Sequence, residues 1–175
     1  MQFNLEQESL KISASKIKLL ALDVDGVLTD GRLYFSNSGE ETKAFHSLDG
    51  HGIKMLLSAG VDVGIITGRT SLLVEKRAKD LGIEIIYQGR EDKLKALNEI
   101  VANKGYPLEE VAYVGDDLPD LPAIQSVGLG FSVPNGHSDV RAAAAAVTLT
   151  AGGSGAVREI TDFIIKSQNR NDNFI

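Results

Sequence analysis

The sequence predicts an α/β protein with a doubly wound, Rossmann-like and mainly parallel sheet and one inserted β-hairpin. Short apolar runs alternate along the chain with segments of helical spacing, which is the pattern of successive βαβ units. The apolar runs are rich in Val, Ile and Leu without strict polar alternation, as expected for strands covered on both faces. One segment, 31–46, breaks this alternation with two β-type arms around the turn cluster SNSGE.

The predicted elements follow one another without an evident linker, so we expect a single domain over residues 1–175. Strands are predicted at 16–22, 61–67, 82–88, 110–115, 127–133 and 146–150. Helices are predicted at 52–60, 71–82, 91–105, 116–125, 137–146 and about 155–167. Gly60, Gly82 and Gly105 stand at the expected ends of three helices, where glycine is common. Right-handed crossovers between parallel strands would place these helices on both faces of the sheet.

The predicted hairpin at about 31–46 has an apolar face, formed by Leu33, Tyr34, Phe35 and Phe45. A lone hairpin is marginally stable in water. We therefore expect this face either to fold onto the domain or to pair with other copies of the chain. The tail at about 168–175 is polar until two final apolar residues. It is expected to be a flexible end, or else an arm that docks on a neighbouring subunit.

Composition argues against several classes of protein. The net charge is −6 and the basic residues are scattered, so no nucleic-acid partner is expected. The chain has no cysteine, which excludes disulfides and thiolate metal sites. No apolar run approaches the roughly 20 residues of a membrane helix, and the N-terminal segment lacks the plan of a signal peptide. We expect a cytoplasmic protein without a membrane partner.

Charged and hydroxyl side chains gather at the predicted carboxyl ends of four strands. Asp23 and Asp25 follow the first strand, and Thr67 ends the second. Lys93 comes shortly after the third strand, and Asp116 follows the fourth. Ligands of open parallel sheets bind beyond the carboxyl ends of the strands. We therefore expect these five side chains to converge at one edge of the sheet.

The residue types at this edge suit phosphoryl transfer. Clustered carboxylates require a cation, and hard oxygen ligands without His or Cys suit Mg²⁺, with Asp23 and Asp116 as the natural pair to share it. A carboxylate nucleophile divides phosphate-ester hydrolysis into two steps through an aspartyl-phosphate. A second carboxyl group can protonate the leaving alkoxide and then activate water. The Thr67 hydroxyl and the Lys93 ammonium suit phosphoryl oxygens.

Four motifs, in order, resemble those of the haloacid dehalogenase (HAD) phosphohydrolase superfamily: DVDGVLTD, IITGR, the lysine of EDKL, and YVGDDLPD. The resemblance implies a HAD-type fold, with Asp23 as nucleophile and Asp25 as general acid and base. It also implies that Thr67 and Lys93 bind phosphate. The implied ligands of Mg²⁺ are Asp23, the backbone carbonyl of Asp25, and Asp116.

Further segments, LTDGRLYFSNSGEETKAFH, DGHGIKML, QGREDKL and GGSGAVREI, resemble the family of 3-deoxy-D-manno-octulosonate 8-phosphate (KDO 8-phosphate) phosphatases. This resemblance implies Mg²⁺-dependent hydrolysis of an acidic sugar phosphate in lipopolysaccharide precursor synthesis. It implies no large cap domain, and a homotetramer in which neighbouring subunits help to close the site. The implied substrate-binding residues are Asp25, His46, Ser47, Leu48, Asp49, Gly50, Lys54, Arg69, Arg77 and Lys93.

Two positions depart from that family's pattern. Relatives often carry a polar residue where this chain has Leu48, and Tyr or Leu where it has His51. The alternative is therefore a HAD phosphatase for another acidic sugar phosphate, such as a nonulosonate 9-phosphate. A non-enzymatic assembly partner is disfavoured because both aspartates of the first motif are present. Asp117 is expected to cap the following helix, and Asp120 lies either on the helix surface or near the metal.

Overall fold

The structure is a computed structural model and describes residues 1–168. Its strands are β1 (Gln2–Phe3), β2 (Leu19–Leu22), β3 (Tyr34–Phe35), β4 (Glu41–Thr42), β5 (Asp62–Ile66), β6 (Ile85–Tyr87), β7 (Val111–Val114), β8 (Leu129–Ser132) and β9 (Ala146–Val147). Its helices are α1 (Gln7–Ala14), α2 (Ser47–Ser58), α3 (Leu72–Leu81), α4 (Lys93–Lys104), α5 (Leu121–Ser126), α6 (Ser138–Ala143) and α7 (Ala156–Ser167). Two short 3-10 turns cover Leu108–Glu110 and Leu118–Asp120.

Seven of the described strands form one sheet, in the order β1-β9-β8-β7-β2-β5-β6. Every neighbouring pair from β9 to β6 is parallel, and β1 joins the edge antiparallel to β9. Among residues 1–168, the strands β3 and β4 pair only with each other, as a separate hairpin. The predicted fold class, a doubly wound and mainly parallel sheet with an inserted hairpin, is confirmed. Within residues 1–168, no large cap domain covers the sheet edge.

The central strand β2 separates two apolar cores. All four of its residues are fully buried, and neighbouring side chains of a strand point to opposite faces. Leu20 and Leu22 belong to the core formed with α1, α2, α3 and α7. Leu19 and Ala21 belong to the core formed with α4, α5 and α6. A strand buried on both faces explains why its sequence is a continuous apolar run.

The strand register places the predicted site residues level with one another. Leu22, the last residue of β2, lies opposite Ile65 of β5 and Val114 of β7. The residues that follow these three strands therefore emerge at the same edge of the sheet. This edge is where Asp23, Thr67 and Asp116 lie.

The N-terminal segment and several element ends differ from the sequence-based expectations. The elements β1 and α1 were not predicted, because a two-residue strand and an eight-residue helix carry little periodic signal. The helix α2 begins at Ser47, so residues 47–50, which precede the helix predicted at 52–60, form its first turn. The predicted tail, apart from Gln168, lies outside the described residues. Among the described helices, none combines the length and the apolar composition of a membrane span.

Candidate active site

The loop after β2 carries Asp23 and Asp25 and is held by the sheet. The N–H of Asp23 donates to the carbonyl of Val114 at 3.0 Å, and only 5% of Asp23 is exposed. Gly26 turns the chain with a φ of 100°. A Cβ at Gly26 would lie 2.0 Å from Oδ2 of Asp116. Glycine is therefore required here for the two acidic loops to approach one another.

Lys93 lies between two buried carboxylates at the start of α4. Asp92 caps this helix by accepting a hydrogen bond from the N–H of Lys95. The Nζ atom of Lys93 lies 3.0 Å from Oδ2 of Asp23 and 2.7 Å from Oδ1 of Asp120. Burial alone would lower the pKa of Lys93, but attraction to the two carboxylates outweighs burial and raises this pKa. The lysine therefore brings a permanent positive charge to the site.

Asp120 organises the loop after β7 from a fully buried position. Its Oδ1 accepts hydrogen bonds from the Tyr113 hydroxyl and from Lys93, both at 2.7 Å. Its Oδ2 accepts from the N–H groups of Asp116 and Asp117, each at 3.1 Å. Both oxygens are thus engaged by donors, and a place on the helix surface is excluded. Asp120 orients its neighbours and carries no free ligand atom.

Asp117 begins the 3-10 turn Leu118–Asp120, and its side chain accepts a hydrogen bond from the N–H of Leu118 at 2.8 Å. Its expected role as a helix cap is confirmed. The Asp117 carboxylate is therefore directed at the backbone N–H of the turn that it caps.

The acidic cluster carries more negative charge than Lys93 offsets. Carboxylate oxygens of Asp23, Asp116 and Asp120 lie within 4.8 Å of one another. Burial, followed by repulsion from Asp120, raises the pKa of Asp23 to about 8 and that of Asp116 to about 6. Oδ1 of Asp116 is buried with no hydrogen-bond partner among the described residues. This oxygen and the all-oxygen donor set fit a hard divalent cation such as Mg²⁺.

These side chains line a cavity of about 320 Å³ at the carboxyl edge of the sheet. Its lining consists of Asp23, Asp25, Gly31, Thr67, Gly68, Arg69, Glu91, Lys93, Asp116, Asp117 and Pro119. The structure thus brings together all five side chains that the sequence placed at the strand ends. Thr67 is buried, and its hydroxyl accepts from the N–H of Arg69 at 3.4 Å.

The hairpin adds residues that sequence reasoning missed. The Lys43 ammonium is buried and contacts the carboxylate of Asp25. Glu41 accepts hydrogen bonds from Arg69 at 3.0 Å and from Ser71 at 2.7 Å. The only sequence signal was the two-residue spacing of Glu41 and Lys43, which puts their side chains on one face of an extended arm.

Several predicted substrate-binding residues lie away from the cavity lining. Of the ten, the described chain brings Asp25, Arg69 and Lys93 to the cavity. The other seven are His46, Ser47, Leu48, Asp49, Gly50, Lys54 and Arg77. His46 caps α2 by accepting from the N–H of Leu48 at 3.2 Å, and Arg77 donates to the carbonyl of His46 at 3.4 Å. Gly50 permits that approach, since a Cβ there would lie 2.3 Å from Nη2 of Arg77.

Asp49 links α2 to the start of α7. It is 2% exposed, and its Oδ1 accepts from the N–H of Arg158 at 2.8 Å. Burial raises the pKa of Asp49, while the N–H groups of Arg158, Gly155 and Val157 favour its charged form. Asp49 therefore caps α7 across the interface between the two helices.

The fold and the site define a haloacid dehalogenase-like hydrolase, and a family model of that description matches residues 83–160. The chain is 48% identical over 157 residues to the 3-deoxy-D-manno-octulosonate 8-phosphate phosphatase of Yersinia pestis. The matched residues cover 90% of this chain and 84% of that protein. Identity to the Escherichia coli (strain K12) phosphatase of the same name is 47% over 159 residues, covering 91% and 85%.

Solved structures agree with these relatives. The Moraxella catarrhalis phosphatase of that name, in complex with a magnesium ion, a phosphate ion and a KDO molecule, superposes with a TM-score of 0.95 at 47% identity over 97% of each chain. The cobalt-bound phosphatase of Haemophilus influenzae gives a TM-score of 0.89 at 40% identity, covering 93% and 95%. The chain belongs to the family of 3-deoxy-D-manno-octulosonate 8-phosphate phosphatases.

The acidic cluster predicts an effect of pH on the stability of the metal-free protein. Because the pKa of Asp23 is about 8 when folded and 3.8 ordinarily, its ionisation opposes folding, and this cost grows as pH rises from about 4 to 8. Asp23→Asn removes this cost of ionisation, while Lys93 keeps its ion pair with Asp120. We expect the metal-free variant to melt several degrees above the wild type at pH 8, with a smaller gap at pH 5, by calorimetry in chelator.

Asp80→Asn is the matched control, since Asp80 is an exposed aspartate on α3, and it should leave the melting temperature unchanged. Added Mg²⁺ should stabilise the wild type and reduce the difference in melting temperature between it and Asp23→Asn. A metal-free Asp23→Asn variant that melts at or below the wild type at pH 8 would contradict this account of the charge.

A second prediction concerns Asp49. Loss of a helix cap costs about 1–2 kcal/mol, so Asp49→Ala should lower the melting temperature by roughly 2–8 °C in a chain of this size. Asp49→Asn keeps an acceptor and should lose less. An unchanged melting temperature together with a raised KM for a sugar phosphate would instead favour the predicted role in substrate binding.

Proposed function

We propose that the protein is a Mg²⁺-dependent phosphatase that hydrolyses KDO 8-phosphate to KDO and inorganic phosphate, in lipopolysaccharide precursor synthesis and in the cytoplasm. The observation that carries this proposal is the single cavity that joins Asp23, Asp25, Thr67, Lys93 and Asp116. The Moraxella catarrhalis relative, named for this activity, holds magnesium, phosphate and KDO together. These are the proposed cofactor and the two proposed products.

In the proposed mechanism, Asp23 and Asp25 divide the chemistry. The Asp23 carboxylate attacks phosphorus, and the P–O bond to the sugar breaks as Asp25 gives a proton to the departing oxygen. Asp25 then takes a proton from the water that attacks the aspartyl-phosphate. Phosphate leaves and the Asp23 carboxylate is restored. The strand β2 is a rigid mount for both groups, because its four residues are fully buried.

The remaining side chains hold the phosphoryl group and its charge. Thr67 and Lys93 are assigned to the phosphoryl oxygens, with Asp120 holding Lys93 in place. Asp23, the backbone carbonyl of Asp25, and Asp116 would hold Mg²⁺. When bound, this ion neutralises charge on the transferring group.

The exposed hairpin supports the proposal of a homotetramer. Leu33, Tyr34 and Phe35 are 47%, 42% and 58% exposed in the single chain, and a stable fold seldom leaves such neighbours in water. We propose that hairpins pair between copies. A neighbouring subunit would then bring the exposed members of the predicted sugar-binding set, such as Ser47, Leu48 and Lys54, within reach of substrate, while Asp49 and Gly50 stay buried.

The first test is phosphate release from KDO 8-phosphate, from a nonulosonate 9-phosphate, and from common sugar phosphates, with Mg²⁺ and then with excess chelator. We expect the largest kcat/KM for KDO 8-phosphate, and loss of activity in chelator that Mg²⁺ restores. A larger kcat/KM for the nonulosonate 9-phosphate would support the alternative substrate. Activity unaffected by chelator would overturn the metal-dependent mechanism.

The nucleophile is tested by Asp23→Asn, which should lower kcat by about 10³-fold or more, since no covalent intermediate can form. Asp80→Asn is again the control and should keep wild-type rates. Acid-quenched enzyme should retain labelled phosphate in the wild type and none in Asp23→Asn. Near wild-type turnover of Asp23→Asn would show that another group attacks phosphorus.

The oligomer is tested by sedimentation equilibrium. The wild type should have a mass near four times the 18.7 kDa of one chain. Replacing Leu33 and Phe35 together by Ser should lower this mass, because it removes the apolar face. A monomeric wild type at assay concentration would contradict the proposal.

A further inference from the structure

Lys43 reaches the site from outside the sheet. It follows β4 in the hairpin, and its side chain is only 2% exposed. Its ammonium contacts Oδ1 of Asp25 and lies 3.5 Å from Oε1 of Glu41. A buried ammonium is stable only when paired and hydrogen-bonded. These two carboxylates provide that pairing.

The contacts close into a ring of four alternating charges, formed by Asp25, Lys43, Glu41 and Arg69. Nη2 of Arg69 lies 3.0 Å from Oε1 of Glu41, and its Nε lies 3.7 Å from Oδ2 of Asp25. The Ser71 hydroxyl donates to the other oxygen of Glu41 at 2.7 Å. The hairpin is thereby fastened to the loops after β2 and β5, with Lys43 directed at the proposed acid and base.

The two carboxylate oxygens of Asp25 have different partners in this ring. Oδ1 is occupied by the Lys43 ammonium. Oδ2 lies beyond ordinary hydrogen-bond distance from Arg69. A carboxyl group that carries a proton on one oxygen can still accept a hydrogen bond at the other. The ammonium can therefore hold the side chain through both steps of the reaction, while Oδ2 exchanges the proton.

We propose that Lys43 is a positioning residue for Asp25, and that Oδ2 of Asp25 gives the proton to the leaving oxygen and takes it from water. This inference rests on the proposed phosphatase function. Lys43 fixes the side-chain rotation of Asp25 through Oδ1, and Glu41 holds Lys43 in turn. The hairpin is then part of the reaction apparatus of its own chain, in addition to any role in assembly.

The experiment uses the dependence on the leaving group. A sugar alkoxide needs a proton as it departs, whereas the nitrophenolate of p-nitrophenyl phosphate needs little help. Lys43→Met should lower kcat/KM for KDO 8-phosphate by about 10- to 100-fold, less than the roughly 10²–10⁴-fold of full general acid catalysis because Asp25 itself is retained. It should lower kcat/KM for p-nitrophenyl phosphate by less than threefold. The KM for KDO 8-phosphate should change little, because the loss falls on the chemical step.

Two further variants keep the test valid if Lys43→Met folds poorly. Lys43→Arg keeps the charge and should recover part of the lost activity. Glu41→Gln removes the charge that holds Lys43 but keeps an acceptor for Ser71, and should show a smaller loss with the same dependence on the leaving group. Glu40→Gln is the control, since Glu40 is exposed in the same hairpin, and should behave as wild type.

Other outcomes would overturn the proposal. Equal losses on the two substrates would reduce Lys43 to a structural contact, and a raised KM with unchanged kcat would make it a substrate ligand. Unchanged kinetics would remove it from the reaction. If the wild type prefers another alkyl phosphate, the same comparison with that compound still tests Lys43, so failure of the substrate proposal is distinguished from failure of this one.

Discussion

The buried contact of Lys93 with Asp23 and Asp120 is the interaction on which the rest of the site depends. Three ionisable groups share a space from which water is nearly excluded, and the charged form of each would be costly alone. Asp120 satisfies both of its oxygens with four donors. It thereby fixes Lys93 on one side and the backbone of Asp116 on the other. Burial and repulsion from Asp120 raise the pKa of Asp23 and of Asp116, and a bound cation would favour the ionised forms that the proposed mechanism requires.

The level ends of β2, β5 and β7 are the geometric counterpart of this contact. Residues far apart in the chain meet because parallel strands in register end at one edge. Gly26 allows the two acidic loops to approach, because a Cβ there would collide with Asp116. The same edge has no large cap within the described chain, and the hairpin contacts it through Lys43 and Glu41. Its contacts with Asp25 and Arg69 connect the hairpin to the residues of the proposed active site.

Residues 46–50, which the sequence predicts to bind substrate, hold α2 in place within the described chain. These residues lie in the cap and first turn of α2, with His46 and Asp49 engaged by backbone N–H groups. Their hydrogen bonds are structural in the single chain. Under the proposed assembly, sugar recognition by this segment would fall to its exposed residues Ser47 and Leu48. This arrangement agrees with the proposal that copies of the chain complete one another's sites.

The sequence by itself determined the fold class, the acidic sheet edge and the Asp117 cap, because each depends on local pattern or on where a buried strand ends. It could not show that Lys43 contacts Asp25, that Asp49 caps α7, or that Asp120 holds Lys93. Those roles depend on contacts between residues distant in the chain, such as Asp49 with α7 and Lys43 with Asp25. Only the tertiary structure decided them, because burial and charge pairing are properties of packed elements, and short elements such as β1 gain their stability from that packing.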